Sequence, residues 1–533
     1  MGVESVTPYM TEIALRWARA AWGAEQIVRD VHERIARGER HEFPWRDTTG
    51  DPETGAYRAP YDHQKVMASV AMWLDGVAII GEMGTGKTRA LLEAAQAKVR
   101  SGDIEQVVIF CKNSTIGVWE SQCHEWTPLL RPVRLDDSMT IVERKNLLQR
   151  THARGTMFII NYEVVYRMAD ALRVVFQRRR IGFVCDESQK IKNPHAKVTK
   201  CAIDLTYLAP WRVIMTGSPI LQGVQDVWSQ WYVVDLGTAF GANYVQYKRE
   251  FFDENPWARE LIMRPGSDTE VGLRMRRRGV RYLKEDCLDL PPKIYEVEYA
   301  EMTPGQKRAY RQMSQTLCAA LSGDDPFGLG DGAQSVATAA NQLAAILRLS
   351  QITSGFLPTE DGRIHTFEPN AKLTALLDWI EDIPEDKSVI IWAWYRQDIT
   401  RIDRALREKF GVTPSIVQGG QSSAQRDDEV RKFASGQNRF FLGNPASGGA
   451  GLNLQRASYA AYYSQSYSLE HRIQSEDRCH RIGSEQHQCV TYVDFVCRDS
   501  VDEIVRDALA RKANLADVVV DLRRHIGADN GND

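Results

Sequence analysis

Eight residues, Gly81-Glu82-Met83-Gly84-Thr85-Gly86-Lys87-Thr88, follow the spacing Gly-x4-Gly-Lys-Thr between an apolar run at 77–80 and a helical pattern starting near Arg89. That context suits a phosphate loop. Glycines let the backbone N–H groups of Gly84, Thr85 and Gly86 wrap phosphate oxygens, Lys87 reaches the outer phosphates, and the Thr88 hydroxyl ligates magnesium. A second apolar run ends in acid, Phe183-Val184-Cys185-Asp186-Glu187. It supplies what such a loop lacks: Asp186 as a magnesium-holding carboxylate and Glu187 as a base for water. Both motifs sit at strand ends, where open α/β sheets bind their ligands. Two further segments need a partner to make sense. Thr216-Gly217-Ser218-Pro219 follows another apolar run and, read alone, is equally a strand-ending turn. In Gln474-Ser475-Glu476-Asp477-Arg478-Cys479-His480-Arg481, spacings of four and three put Gln474, Arg478 and Arg481 on one helical face. Such a run is commonly a solvated face, but a planar guanidinium is also what stabilises charge on a transferring phosphoryl group.

These residues need a scaffold of at least two domains, and 533 residues exceed what one core normally serves. Short runs apolar at nearly every position, at 77–80, 107–110, 157–160, 183–185 and 212–215, predict parallel strands covered on both faces. Helical patterns at 89–99 and 141–149 separate them, as a doubly wound sheet requires. The alternation fails from about 237 to 290, where Arg274, Arg276, Arg277, Arg278 and Arg281 crowd together, either as a phosphate contact or as a solvated helix face. It resumes after Lys372, with runs at 389–392, 440–442, 460–463 and 490–496. The expected division is an N-terminal helical extension over 1–50, a first lobe over 51–295 with a helical insertion at about 237–290, a helical protrusion over 296–370 with a mobile loop at 322–340, and a second lobe with a C-terminal helix over 371–533. A net charge of −3 supplies no overall basic field and weakens a histone-like, non-specific coating role, so any nucleic acid must be held in a local groove. Nine scattered cysteines suggest neither a disulfide framework nor a zinc site. No apolar stretch is long enough for a membrane span and no signal peptide is evident, so the expected location is the cytoplasm, of a bacterial or virus-infected bacterial cell, with the nucleus left open.

Read in order, the four segments resemble a Swi/Snf-type helicase-like ATPase of helicase superfamily two, over about 57–518. Tyr61-Asp62-His63-Gln64 resembles the adenine-recognising glutamine motif, with Gln64 as base reader. The segment from Val108 through Trp119 resembles motif Ia, and Ile159-Ile160-Asn161-Tyr162-Glu163 the following DNA-contact motif. Lys190-Ile191-Lys192-Asn193-Pro194 extends the acidic box as this family does, and Leu290-Pro291-Pro292-Lys293 matches its exit from lobe one. Gly448-Gly449-Ala450-Gly451-Leu452-Asn453-Leu454 resembles motif V, and 474–483 motif VI. The resemblance implies α/β architecture with two RecA-like doubly wound parallel-sheet lobes and helical protrusions, ATP with magnesium as cofactors, and sequence-independent double-stranded DNA as partner. A protein partner is open. It further implies that Gly451 helps bind nucleotide, that Gln189, Thr216, Ser218 and Gln474 couple the motifs, and that Lys112, Asn161, Lys192, Gly449 and Asn453 contact DNA. Three positions depart from the pattern: Gln189 stands for histidine, Asn444-Pro445 for Ser-Thr, and Ser484 for glutamine.

The expected mechanism is hydrolysis on lobe closure, with Lys87, Glu187, Arg478 and Arg481 catalytic, stepping the chain along duplex DNA without sequence readout. Two other readings compete: a strand-separating DNA or RNA helicase, and an ATP-gated DNA-binding scaffold with little turnover.

Overall fold

The computed structural model describes residues 23–37, 60–217, 224–254, 261–321, 346–359, 363–448 and 452–511. The chain forms two compact units, Met1–Leu288 and Asp289–Asp533.

In the first unit the expected runs become β1 (Gly76–Gly81), β2 (Gln106–Cys111), β4 (Thr156–Asn161), β5 (Ile181–Asp186) and β6 (Trp211–Thr216), joined by β3 (Arg131–Leu135). Every pairing is parallel, and with a later strand, β9 (Gly279–Tyr282), the order is β3-β4-β2-β5-β6-β1-β9. Successive side chains of one strand enter opposite cores. Ala78, Val108, Phe158 and Phe183 pack on one face, and Val77, Ile79, Val107, Ile109 and Val184 on the other. A strand buried on both sides has no solvated face, which is why these runs show no polar alternation. Each large aliphatic or aromatic side chain so buried contributes about 1.5–3 kcal/mol.

The segment expected as a helical insertion is more varied. It holds a helix, Tyr244–Phe251, a short antiparallel pair of β7 (Phe252–Glu254) and β8 (Leu261–Met263), a helix, Ser267–Arg276, and β9 (Gly279–Tyr282). β9 returns to the main sheet beside β1, so part of the expected insertion completes the lobe. Two of its crowded arginines are committed to carboxylates: Arg274 to Glu250 and Glu270, each at 2.7 Å, and Arg278 to Asp75 at 2.5 Å. The helix Ala24–Ala36 buries Ala24, Ile27 and Val31 in the same core and is tied to Arg277 through the Ala24 N–H. The preceding part of the expected helix lies outside the described residues.

The second unit is another all-parallel sheet, ordered β10-β17-β16-β13-β15-β14. Its strands are β10 (Lys293–Ala300), β13 (Ser388–Trp392), β14 (Ser415–Val417), β15 (Phe440–Gly443), β16 (Ala457–Tyr462) and β17 (Val490–Cys497), with a separate hairpin of β11 (Phe356–Pro358) and β12 (Ile364–Thr366). This unit opens at Asp289, not after 295, and its first strand occupies the start of the expected helical protrusion. The reason is compositional: as an edge strand, β10 leaves Ile294, Tyr295 and Tyr299 exposed, so it carries no continuous apolar run. The protrusion's helix is Pro304–Leu321, and the 322–340 loop and the C-terminal segment from 512 lie outside the described residues. Trp392 is buried in the core, and Trp394 lies 5.5 Å from the His471 ring, so both pack.

Candidate active site

The 81–88 loop leaves the carboxyl end of β1 and enters the helix Lys87–Ser101. Two of its glycines, Gly84 (φ 89°) and Gly86 (φ 80°), hold the left-handed conformation that exposes consecutive N–H groups. Gly86 is required twice over, because a Cβ there would lie 2.0 Å from the Gln64 amide nitrogen. Gln64 in turn donates to the Thr85 carbonyl (3.4 Å), and His63 Nε2–H donates to the same oxygen (2.9 Å). The glutamine-motif helix Asp62–Trp73 is thereby fastened to the loop. Lys87 Nζ donates to the carbonyls of Gly81 (2.5 Å) and Glu82 (3.0 Å), and Thr88 is the second residue of the helix. From the other side, the Glu82 carboxylate accepts the Lys284 N–H at 2.7 Å, so the segment following β9 also braces the loop.

Asp186 ends β5, two strands from β1 in the sheet. Its Oδ2 accepts the Trp119 indole N–H at 2.9 Å, its Oδ1 accepts the Glu187 N–H at 3.0 Å, and its carbonyl accepts the Tyr162 hydroxyl at 2.6 Å. Burial, then the neighbouring Glu187 charge, push the Asp186 carboxyl up to about 6, against the opposing pull of Lys87. A carboxylate desolvated beside a second carboxylate is relieved by a hard cation. Among the described residues no three His, Cys, Asp or Glu side chains form an all-protein metal cage. Magnesium held with substrate phosphates needs only one or two carboxylates, so Asp186 with the Thr88 hydroxyl fits it.

Glu187 has φ 50°, the left-handed region that a non-glycine residue enters only when its surroundings impose it. Those surroundings include a hydrogen-bond chain. The Thr216 hydroxyl donates to Gln189 Oε1 (3.0 Å), and Gln189 Nε2 donates to Glu187 Oε2 (2.7 Å). The glutamine in place of histidine thus joins the ends of β5 and β6 through one amide. Ser188 Oγ donates to Gln230 Oε1 at 2.6 Å, anchoring the turn from behind.

In the second unit the helix Leu469–Glu476 stops before the arginines, so the expected single helical face is not what brings them together. The Asp477 N–H closes the helix onto Ile473 and Ser475, and Arg478 and Arg481 lie in the turns beyond. They converge all the same, since Nη1 of each donates to the Leu452 carbonyl, at 3.4 and 3.1 Å. Arg478 Nε donates to the Gln474 carbonyl, while the Gln474 amide turns back to Glu470 (2.7 Å). Asn444 caps the short helix Pro445–Gly448, its Oδ1 accepting the Ala446 N–H at 2.8 Å, so Asn-Pro makes its own turn where the family pattern has Ser-Thr.

The expected DNA-contacting residues divide. Asn161 is only 3% exposed, being the last residue of interior strand β4, and so offers no surface to a nucleic-acid backbone. Lys112 is half-buried and Asn453 exposed. Lys192 lies 3.6 Å from Asp226. Ser218, Gly449 and Gly451 lie outside the described residues. Around the acidic-box extension the structure sets Lys197, which the sequence leaves between a phosphate contact and a solvated face, among basic and aromatic side chains that sequence reasoning passed over. Lys197 and Arg167 each lie 5.6 Å from the Tyr166 ring centre, His195 meets Tyr244 edge-on, and Lys248 lies over Tyr244.

The sequence pattern of the SNF2-related domain matches residues 63–354. The chain belongs to the SNF2-related family. A helicase conserved C-terminal domain matches 371–483, and together the two describe a helicase-like ATPase of the SNF2 type. Similar proteins include an uncharacterised ATP-dependent helicase, MG018, of Mycoplasma genitalium, 24% identical over 83% of this chain and 40% of its own length. The transcription regulatory protein SNF2 of Saccharomyces cerevisiae is 24% identical over 84% of this chain and 26% of its own. Putative protein p41 of Acyrthosiphon pisum secondary endosymbiont phage 1 is 23% identical over 83% and 94% respectively. This SNF2-related chain therefore spans less than half of the bacterial and yeast proteins and nearly all of the phage one. The Sulfolobus solfataricus SWI2/SNF2 ATPase core in complex with double-stranded DNA aligns with 85% of this chain and 91% of its own, at 20% identity and a TM-score of 0.40. Among the described residues no helix is long and apolar enough to cross a membrane.

Proposed function

We propose that this chain is an ATP-dependent translocase on double-stranded DNA, which remodels DNA or protein–DNA complexes without having to separate strands. The observation that carries the ATPase part is the joint setting of Lys87, Asp186 and Glu187 on the carboxyl ends of one sheet, with Glu187 oriented through Gln189 and Thr216. Gln64 reads the base, the N–H groups of Gly84, Thr85 and Gly86 cradle the phosphates, and Lys87 exchanges its carbonyl partners for the outer phosphate oxygens. Thr88 and Asp186 would hold magnesium, which would supply positive charge for the phosphoryl oxygens. Glu187 orients and deprotonates the attacking water. Arg478 and Arg481 exchange the neutral Leu452 carbonyl for anionic phosphate oxygens, and charge-assisted hydrogen bonds of that kind are roughly twice as strong as neutral ones.

The DNA part draws on Arg167 and Lys197 at the Tyr166 ring and Lys248 at the Tyr244 ring, with the exposed Lys190 on the acidic-box extension, in a chain whose net charge of −3 provides no overall attraction for a polyanion. Contacts of this sort address phosphate and carry no sequence information. The similarity to a yeast transcription regulatory protein supports the same reading. ATP turnover measured with duplex DNA, single-stranded DNA and RNA tests it. Duplex DNA is expected to stimulate most, to a similar degree whatever its sequence. Stimulation by RNA alone would replace this reading with that of an RNA helicase.

A further inference from the structure

The chain enters its second unit through Leu290-Pro291-Pro292-Lys293, a stretch that the proposed chemistry leaves without a task. Two prolines hold it extended, and β10 follows at once, with Lys293 as its first residue. This segment grips the arginine turn on both sides of Arg478. Two residues before Arg478, the Glu476 carboxylate accepts Lys293 Nζ (2.9 Å) and the Tyr295 hydroxyl (2.8 Å) on one oxygen. Its other oxygen accepts Arg472 Nε at 2.7 Å. Two residues after Arg478, His480 Nε2–H donates to the Pro291 carbonyl at 2.9 Å. Burial opposes the charge on Glu476, but Lys293 and Arg472 more than offset it and keep the carboxyl below its usual range. Arg472 in turn lies 3.7 Å over the Tyr462 ring and pairs with Asp494 on β17, so the far side of Glu476 is fixed to the sheet.

We propose that the 291–295 segment is a latch that sets the position of Arg478 and Arg481, with Lys293, Tyr295, Glu476 and His480 as positioning residues for the arginines. The inference rests on the reading that those arginines serve the phosphate. Through the latch, the segment that leads into the second unit is mechanically continuous with its arginine turn. A misplacement of that turn by about an ångström costs on the order of 10- to 100-fold in the chemical step and leaves the phosphate loop of the first unit as it was.

The test is steady-state ATP turnover of the full chain with duplex DNA for the parent, Lys293→Met, Lys293→Arg, Tyr295→Phe and Arg478→Ala. Lys293→Met is expected to lower kcat on the order of 10- to 100-fold with KM for ATP within about twofold of the parent, because an interaction made only in the transition state is lost. Lys293→Arg keeps a donor for Glu476 and is expected to recover most of the rate. Tyr295→Phe removes one of the hydrogen bonds to Glu476 and keeps the ring, which is 57% exposed, and is expected to lower kcat several-fold with a melting temperature close to the parent's. Parental kcat in both Lys293→Met and Tyr295→Phe overturns the latch, as does a loss in Lys293→Met that Lys293→Arg leaves unrepaired. Full turnover in Arg478→Ala would instead sink the reading of the arginines, and the latch with it.

Discussion

Alanine at Arg478 is expected to lower kcat for ATP by about 10³-fold or more, the lower end of what an arginine finger contributes, while ATP binding stays close to parental. Arg478 is 2% exposed, and its guanidinium gives hydrogen bonds to two backbone carbonyls, of Gln474 and Leu452. Its removal takes the side-chain donor from the Gln474 carbonyl, while Arg481 still donates to that of Leu452, at a cost to stability of roughly 1–3 kcal/mol, so the folded fraction must be measured alongside. Arg478→Lys sharpens the result, since an ammonium keeps the charge but lacks the planar fork and is expected to restore little of the rate. Binding of a fluorescent ATP analogue, followed by single-turnover hydrolysis, separates the two steps. A variant that binds ATP and hydrolyses it within a few-fold of the parent would remove Arg478 from the chemistry.

Glu187→Gln is expected to reduce turnover by about 10²- to 10⁴-fold, the contribution of a positioned general base. The substitution is nearly isosteric, and the strained φ of 50° is imposed by the turn and its neighbours, not by the carboxylate. The new amide turns its oxygen toward Gln189 Nε2, so the chain through Thr216 persists and only the proton acceptor is lost. Retained ATP binding with hydrolysis at the parental rate, measured by phosphate release, would show that another group activates the water.

Much of this was legible in the sequence because the same physics that buries a parallel strand on both faces also removes its polar positions. β1, β2, β4, β5, β6, β13, β15, β16 and β17 announce themselves as short apolar runs. β3 and β10 do not, since edge strands keep solvated side chains such as Arg131 and Glu296, and β14 has only three residues. β9 is hidden among arginines, two of which, Arg274 and Arg278, turn out to be spent on Glu250, Glu270 and Asp75. Spacing marks Lys87, Thr88, Asp186 and Glu187, because the order of residue types along the chain is itself the chemical requirement. It does not show Trp119 or Tyr162 as partners of Asp186, since a polar atom on a large ring inside an apolar run reads as core until its partner is seen. Helical periodicity groups Arg478 with Arg481 for the wrong reason: the helix ends at Glu476, and a shared carbonyl brings them together instead. Asn161, which the motif resemblance marks as a DNA contact, is buried at the end of its strand, and that burial is not visible in the spacing.

Translocation along duplex DNA is tested most directly by displacement of a third strand from a triplex placed ahead of the chain. Release of that strand is expected to require ATP, to fail with a non-hydrolysable analogue and with Glu187→Gln, and to leave the underlying duplex paired. A triplex that stays intact while the same duplex stimulates ATP turnover would contradict it.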